Sequence, residues 1–440
     1  MQVFEEQIAN GLGRELRSDI SVKETDPAEF KSWFSVSDLA VASISAAASE
    51  TAAILGKSSV SISRKRTLKW FETSIRPIGW TLPPSWDSIA GDYKTVDGWI
   101  RLHTNAPHHR AAALSVLACK GDRETVAATV STWKKTDLET TVVASDGCAA
   151  AMHTLDEWAA HPQGQALANE PLIHWDDTGF IGKSVELDGL RVLDLTRVLA
   201  GPIATRFLAG FGASVLRIDP PSWNEPSLEP EITLGKRCTG LDLKNADDRL
   251  TFEDLLRQAD VLVHGYRPGA LNNLGYTSEQ LRTLSPGLID VSLNAYGHSG
   301  PWAERRGFDS LVQMSCGIAA EGMLRANSDY PTPLPVQALD HATGYLMAAA
   351  VLRALRIRNR DGRSVSAKLS LARTAALLIS AGVSETKQQI PAETPSDFST
   401  ELEKTGWGDA NRIAFPASID GSAPIWRHPS RPLRTAKASW

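Results

Sequence analysis

The sequence predicts an α/β protein, with a doubly wound parallel (Rossmann-like) sheet domain and a second, smaller α+β lobe. Between residues 187 and 380, short apolar strands alternate with helical segments, the pattern of a parallel sheet covered on both faces. The segment 190–196 has apolar residues at Leu190, Val192, Leu193 and Leu195, which would place apolar side chains on both faces of a buried strand. Ala200-Gly201-Pro202 then permits a close turn and places proline at the start of a helix.

Five segments are expected along the chain. They are an N-terminal segment (1–35), a helix and strand that complete the large domain (36–75), the small α+β lobe (76–165), the Rossmann-like domain (187–380) and a C-terminal tail (395–440). A polar stretch at 162–186 is expected to be a linker. In the Rossmann-like domain, strands are predicted at 190–196, 213–219, 260–266 and 287–293, and helices near 202–211, 246–258, 277–284 and 338–357. In the lobe, a strand is predicted at 98–102.

Two Ala-rich helical segments, 38–55 and 340–355, resemble each other. Each precedes a short strand-like stretch, VSIS at Val60 and VSAK at Val365. Common origin and chance agreement between two Ala-rich helices both explain this echo, and both explanations stay open. With common origin, residues 36–180 correspond to the later part of one unit and 187–380 to the earlier part of another.

Composition limits the classes of function. The chain has 440 residues, 42% hydrophobic content and a net charge of −5, which is typical of a globular protein and disfavours a nucleic-acid partner. No apolar run approaches the roughly 20 residues of a membrane span, and the first residues lack a signal-peptide pattern. Four scattered cysteines without a CxxC pair favour a reducing compartment. We therefore expect a cytoplasmic protein without a membrane partner.

A dinucleotide site is the first alternative for the Rossmann-like domain. Gly210-Phe211-Gly212 forms a GxG, and Asp219 ends the second predicted strand. However, these glycines follow the first helix, whereas the phosphate-binding glycines of such sites precede it. The pattern therefore disfavours NAD.

Five motifs in a fixed order indicate a different ligand. They are TRVLAGP (196–202), LGKR…LDLK (234–244), ADVLVHGYRPGAL (259–271), YGHSGPW (296–302) and RRGFDSLVQ (305–313). Together they resemble CoA-transferase family III, the CaiB/BaiF group that includes formyl-CoA transferase and carnitine CoA-transferase. The resemblance implies transfer of CoA between an acyl-CoA and a carboxylic acid, with CoA as a substrate thioester, no metal and a homodimer. The stretch 97–105 resembles the small lobe of that family, which here precedes the sheet domain, so the order is permuted.

The resemblance also implies which residues contact CoA. They are Arg197, Leu199, Ala200, Leu241, Lys244, Gly265, Tyr266, Arg267 and Arg306. Ordinary loop residues at the edge of a parallel sheet are the alternative for each of them. Asn273 stands where the family commonly has an arginine, which removes one cationic contact.

The sequence offers one candidate catalytic residue and one departure from the family pattern. The resemblance places a nucleophilic Asp in the segment 367–375, where Arg373 stands instead, and a guanidinium cannot attack a thioester. Asp340 matches a base of the related racemases and is the candidate catalytic residue; helix N-capping is its structural alternative. The partner base of a racemase would fall at Phe308. A CoA- or acyl-CoA-binding protein without activity, and a racemase-like proton-transfer enzyme that uses Asp340 with His341 or His108, therefore remain alternatives.

His103, His108 and His109 form the remaining cluster of polar groups. Their spacing matches no zinc motif, so we expect histidines at the surface or at the lobe interface rather than metal ligands.

Overall fold

The computed structural model of the chain describes residues 1–13, 20–266 and 269–440. The helices are α1 Gln2–Gly11, α2 Val36–Ile54, α3 Arg64–Glu72, α4 Pro107–Leu117, α5 Arg123–Val130, α6 Lys135–Ala144, α7 Leu155–Ala160, α8 Pro162–Ala168, α9 Ala200–Gly210, α10 Glu229–Ile232, α11 Ala246–Arg257, α12 Ala270–Asn273, α13 Ser278–Leu284, α14 Asp309–Ser315, α15 Ile318–Arg325, α16 Ala338–Asp361 and α17 Leu371–Ser380. The strands are β1 Ser21–Thr25, β2 Ser32–Phe34, β3 Ser59–Ser63, β4 Ile75–Pro77, β5 Gly91–Thr95, β6 Gly98–Leu102, β7 Ala149–Ala151, β8 His174–Ile181, β9 Arg191–Leu195, β10 Ser214–Asp219, β11 Lys236–Gly240, β12 Val261–His264, β13 Ile289–Asn294, β14 Arg363–Ser370, β15 Val383–Thr386, β16 Glu403–Thr405, β17 Gly408–Arg412 and β18 Ala417–Ile419.

A seven-stranded sheet in the order β11-β10-β9-β12-β13-β14-β8 organises the larger part of the chain. Its neighbouring strands are parallel, except that β8 runs antiparallel to β14. After β9, the chain adds β10 and β11 on one side of it. It then returns to the other side of β9 and adds β12, β13 and β14 in that direction. This confirms the predicted doubly wound α/β fold. The order reverses between β9 and β12, where ligands of such sheets bind beyond the carboxyl ends of the strands.

Apolar side chains from both faces of this sheet are buried under helices. Val192 and Val263 on one face belong to the same core as α9 and α16. Leu193 and Leu262 on the other face pack with α11 and α13. The strands are apolar on both faces for this reason, as the run at 190–196 predicted. No helix within the described ranges is long and apolar enough to cross a membrane.

The small three-stranded antiparallel sheet β5-β6-β7 lies within the predicted lobe. Its core contains Tyr93, Ile100, Val126 and Leu138, which come from the sheet and from α5 and α6. This lobe contacts the large sheet's helices through α14, since Trp99 and Leu311 share a separate buried cluster. The lobe is therefore packed against the segment that follows β13.

The expected linker at 162–186 is wrong. Residues Pro162–Ala168 form α8, and His174–Ile181 form the edge strand β8, which pairs with β14. The polar sequence HWDDT suits this position because an edge strand leaves much of its length facing solvent.

The internal echo extends to the order of the elements. Helix, strand and helix follow one another in α2-β3-α3 and again in α16-β14-α17, and α2 packs along α16. The strand–helix junctions are also alike, because the side chains of Ser63 and Ser370 accept bonds from the backbone N–H groups of Arg66 and Arg373. Each central strand has one parallel and one antiparallel neighbour. The structure thus contains two packed units of the same element order.

Candidate active site

A cavity of about 1150 Å³ lies between the carboxyl edge of the large sheet and the small lobe. The sheet contributes the loops after β9, β10 and β11, and the lobe contributes residues 84–87 and 103–108. Residues 308–310 and 335–341 line the side where α14 and α16 begin. The position of the cavity is that expected for a ligand site at the reversal of strand order. We call this cavity the cleft.

Six of the residues predicted for the site line the cleft. They are Arg197, Leu199, Leu241, Lys244, Tyr266 and Asp340. Ala200, Gly265 and Arg306 are not among the lining residues: Ala200 starts α9, and Arg306 donates hydrogen bonds to the backbone oxygen and carboxylate of Asp146 in the lobe. Arg267 lies outside the described residues.

The loop after β9 has a strained backbone next to the cleft. Val198 adopts a φ of +66°, in the left-handed region that β-branched residues rarely occupy. Its N–H donates to Glu225 Oε2 at 2.9 Å, and Glu225 is in turn bound by the fully buried Arg217. Arg217 also donates to both carboxylate oxygens of Asp219, at 2.8 and 3.0 Å. This network fixes the conformation of the loop that presents Arg197 and Leu199.

A second buried ion pair fixes the first turn of α9. Lys236 Nζ lies 2.9 Å from Asp194 Oδ2 and also donates to the carbonyl oxygen of Pro202, at 2.8 Å. Asp194 accepts a further bond from the backbone N–H of Thr196. Burial opposes ionisation of Asp194, but Lys236 and Arg217 outweigh that effect and lower its pKa. The loop between β9 and α9 is therefore held at both of its ends.

Two basic side chains line the cleft within the described part of the chain, Arg197 and Lys244. The guanidinium of Arg197 stacks between two aromatic rings, 4.6 Å from the centroid of Trp223 and 5.4 Å from that of Tyr266. Lys244 is exposed at the rim. Trp223 and Glu225 were not predicted from the sequence, although both follow shortly after the end of a buried strand, where cleft residues of such sheets lie.

Two carboxyl groups meet where α14 and α16 begin. Asp309 Oδ2 accepts the backbone N–H of Asp340 at 2.9 Å, and Oδ1 accepts Gln313 Nε2 at 2.5 Å. Burial raises the pKa of Asp309 to about 6. Burial, and then the charge of Asp309, raise the pKa of Asp340 well above its usual range. The N-cap interpretation of Asp340 is wrong, because α16 begins at Ala338 with Gln337 as its N-cap.

The residues next in sequence to the two carboxyl groups, Phe308 and His341, take part in aromatic stacks. His103 of the lobe stacks on Phe308 with ring centroids 3.7 Å apart, and His341 stacks on Phe71 at 4.7 Å. Burial lowers the pKa of His103 and of His341 to about 3, so both rings are neutral at pH 7. His108 also lines the cleft, and burial lowers its pKa; His109 is buried, with its pKa lowered to about 4. The histidine cluster thus lies at the interface between lobe and sheet, as the sequence predicted.

Arg373 does not line the cleft. It lies in the first turn of α17, where its backbone N–H donates to Ser370 Oγ and its guanidinium interacts with Glu170. The absence of a carboxylate at this position therefore does not remove one from the cleft.

The sheet is doubly wound, and a second lobe covers the point where its strand order reverses. These two features define a two-lobed α/β protein with a cleft for a ligand. Residues 187–399 match the sequence profile of CoA-transferase family III, which confirms the resemblance drawn from the motifs. This part of the chain is similar to CoA-transferase family III.

Curated relatives that are named as CoA transferases match 40–46% of this chain. Acetyl-coenzyme A transferase nodX of Hypoxylon pulicicidum is 35% identical over 211 residues, which are 46% of this chain and 36% of that protein. The probable fatty acyl-CoA transferase Rv3272 of Mycobacterium tuberculosis is 35% identical over 190 residues, 40% and 48% of the two chains. A crystal structure of Rv3272 matches over 46% of this chain and 58% of its own, with 31% identity and a TM-score of 0.40. The chain spans about a third to a half of the length of such curated relatives.

Proposed function

We propose that this protein is a CoA-transferase that moves CoA between an acyl-CoA and a carboxylic acid in the cleft. Asp340 carries the proposal: its buried carboxyl lines the cleft, and no lysine or arginine of the described residues forms an ion pair with it. Such a carboxylate is available as a nucleophile once it is ionised. The match to the family profile and the names of the relatives support the same activity.

CoA is proposed to lie along the loops of the sheet. Its binding residues are those that the resemblance implies: Arg197, Leu199, Ala200, Leu241, Lys244, Gly265, Tyr266, Arg267 and Arg306. The stacked guanidinium of Arg197 offers a planar cation to a phosphate, and Lys244 offers a second charge at the rim. In this proposal the thioester lies at Asp340, which lines the same cleft.

In the proposed reaction, the carboxylate of Asp340 attacks the thioester carbonyl. A carbon–oxygen bond forms, the carbon–sulfur bond breaks, and its electron pair leaves on the CoA sulfur, which gives a mixed anhydride and a thiolate. The thiolate attacks the aspartyl carbonyl and releases the donor acid, which leaves CoA on Asp340 as a thioester. The acceptor carboxylate repeats these steps in reverse and departs as the new acyl-CoA. No external proton or oxidant is consumed.

The two alternatives have less support. A binding protein without activity was suggested by Arg373, which does not line the cleft. A racemase-like enzyme needs a second base opposite Asp340, but Phe308 stands at the expected place. His341 is stacked on Phe71, and burial lowers its pKa to about 3, which makes it a weak base.

Assembly and compartment are proposed on narrower grounds. We propose a homodimer because the family resemblance implies one, and light scattering of the purified chain would show it as a species of twice the chain mass. A cytoplasmic location is proposed because four free cysteines persist without pairing, as in reducing compartments.

Transfer itself is the test of the proposed function. The protein is incubated with an acyl-CoA and an isotopically labelled acid, and chromatography detects label in the thioester fraction. We expect labelled acyl-CoA in amounts that exceed the protein many times over. Tight binding of CoA by calorimetry without transfer would instead support the binding protein. Deuterium uptake at the α-carbon without CoA exchange would support the racemase-like enzyme.

The paired carboxyls predict an unusual pH dependence. Because the pKa of Asp340 is raised, its nucleophilic form accumulates only as pH rises, so kcat/KM should increase from pH 5 toward pH 8. Asp309→Asn removes the neighbouring charge, lowers the pKa of Asp340 and should move the acid limb of the profile to lower pH. Asp97→Asn, a carboxylate of the lobe hairpin, should leave that limb in place. An unshifted limb in Asp309→Asn would contradict the coupling.

A further inference from the structure

We propose that Arg434, in the C-terminal tail, is a positioning residue of the CoA site. Its guanidinium holds the cleft loop 220–224. This loop carries Trp223, whose ring sets the position of the Arg197 guanidinium. The inference rests on the CoA site of the proposed function, to which it adds a residue outside the cleft. Arg434 lies beyond residues 187–399, so the match to the family profile assigns it no role.

The first step is the contact between the tail and the loop. The guanidinium of Arg434 donates to the carbonyl oxygen of Trp223 and to Asn224 Oδ1, each at 2.5 Å. It also donates to the carbonyl oxygen of Pro220, at 3.4 Å. Within the loop, the N–H of Trp223 donates to that same carbonyl oxygen at 3.1 Å. Because hydrogen bonds from a charged donor are the stronger kind, Arg434 contributes more to the position of the loop than the bond within the loop does.

The second step is the backbone of the tail around Arg434. Its φ of +61° lies in the left-handed region, which costs free energy for a residue with a side chain. On one side, the N–H of Arg431 donates to Thr233 Oγ1 at 3.1 Å. On the other, the N–H of Ala436 donates to the carbonyl oxygen of Cys238 in β11, at 2.8 Å. The tail is therefore held against the sheet domain on both sides of the strained residue, and in this conformation the side chain of Arg434 reaches the loop.

The third step leads from the loop to the cation of the CoA site. The indole of Trp223 lines the cleft, and Cζ of Arg197 lies 4.6 Å from its ring centroid. The indole N–H is buried and has no hydrogen-bond partner in the described part of the chain, so the loop backbone and the ring contacts hold this side chain. A displaced Trp223 would leave Arg197 over a single ring, that of Tyr266, at 5.4 Å. Movement of the loop therefore moves the cation that is proposed to meet a phosphate of CoA.

Arg434→Gly tests the proposal with little risk to the fold. Glycine adopts the left-handed backbone without strain, so the variant loses the guanidinium and keeps the conformation of the tail. Calorimetric titration with CoA should show binding about tenfold weaker than in the wild type. In the transfer assay, KM for the acyl-CoA should rise by about tenfold while kcat stays unchanged, a division that a general loss of structure would not produce.

Two further variants separate positioning from other effects of the tail. Arg434→Lys keeps the charge but not the planar fork, so its CoA affinity should lie between those of the wild type and Arg434→Gly. Arg427→Gly gives the tail similar backbone freedom and removes an exposed arginine that is paired with Asp188 at 2.6 Å. It should leave CoA binding unchanged, and equal weakening in Arg427→Gly and Arg434→Gly would overturn the inference.

Arg197→Met shows whether Arg434 acts through Arg197 or attracts CoA by its own charge. If Arg434 acts through Arg197, Arg434→Gly should weaken CoA binding by less than about twofold when Arg197→Met is already present. Tenfold weakening in both backgrounds would overturn the inference, as would unchanged affinity in Arg434→Gly or a wild type that does not bind CoA. Binding of CoA that depends on Arg434, without any transfer, would support the inference while the transferase activity fails.

Discussion

Asp340→Asn is expected to lower kcat for CoA transfer by at least about a thousandfold, because an amide cannot form the mixed anhydride. The same variant should retain CoA affinity, since it leaves the cationic side chains of the cleft, Arg197 and Lys244, unchanged. Steady-state transfer assays and calorimetric titration with CoA measure the two quantities. Transfer at the wild-type rate in this variant would contradict the assignment of the nucleophile.

The same substitution should stabilise the protein above neutral pH. The raised pKa of Asp340 means that the folded state holds a proton that the unfolded state has already lost. Its contribution to stability is therefore complete at low pH and is lost as pH rises through the folded-state pKa. In Asp340→Asn this loss of stability with rising pH is absent. The Tm of the variant should therefore exceed that of the wild type at pH 8 and approach it near pH 4.

Asp38 provides a matched control within the same chain. It lies in the first turn of α2, as Asp340 lies in the first turn of α16. Burial opposes its ionisation, but hydrogen bonds from the amino terminus and from Arg64, at 2.7 Å, outweigh this and lower its pKa. Asp38→Asn should therefore leave transfer intact and reduce stability at neutral pH, the opposite of the result for Asp340.

Arg217→Met is expected to lower the free energy of unfolding by about 3–5 kcal/mol, because it leaves Asp219 and Glu225 as buried charges without their common partner. Urea unfolding at pH 7 measures the loss. Since Glu225 also holds the strained backbone at Val198, the remaining folded protein should bind CoA more weakly.

Two control variants distinguish the stability lost with the buried ion pairs of Arg217 from the effect of removing an arginine in general. Arg257→Met removes a half-exposed ion pair on α11 and should be nearly neutral. Adding Glu225→Gln to Arg217→Met removes one of the stranded charges and should recover part of the stability. Equal unfolding free energies for Arg217→Met and Arg257→Met would contradict the importance of the buried network.

Much of the large sheet could be predicted because its strands are buried on both faces and its helices have local end signals. The predicted strand at 190–196 and the helix near 338–357 correspond to β9 and α16. The edge strand β8 could not be recognised, because it is rich in polar residues and becomes a strand only through pairing with β14. Its pairing is a long-range property that local composition does not encode.

The residues of the candidate site likewise fall into those that the sequence could predict and those that it could not. The motifs placed five predicted residues on the cleft, among them Arg197 and Tyr266, and the match to a racemase base placed Asp340 there. The stacking of His103 on Phe308 depends on how the lobe packs against α14, between two segments that are far apart in the chain and share no periodicity. The interpretation of Asp340 as an N-cap failed because Gln337 occupies that position, which places Asp340 within the first helical turn.

Trapping the covalent intermediate gives the most direct answer about the cleft. The wild-type protein is incubated with an acyl-CoA, treated with hydroxylamine and digested, and the peptides are analysed by mass spectrometry. The proposed reaction predicts an aspartyl hydroxamate at Asp340 in the wild type and none in Asp340→Asn. A hydroxamate at Asp309 instead, or no modified carboxylate while transfer proceeds, would contradict it.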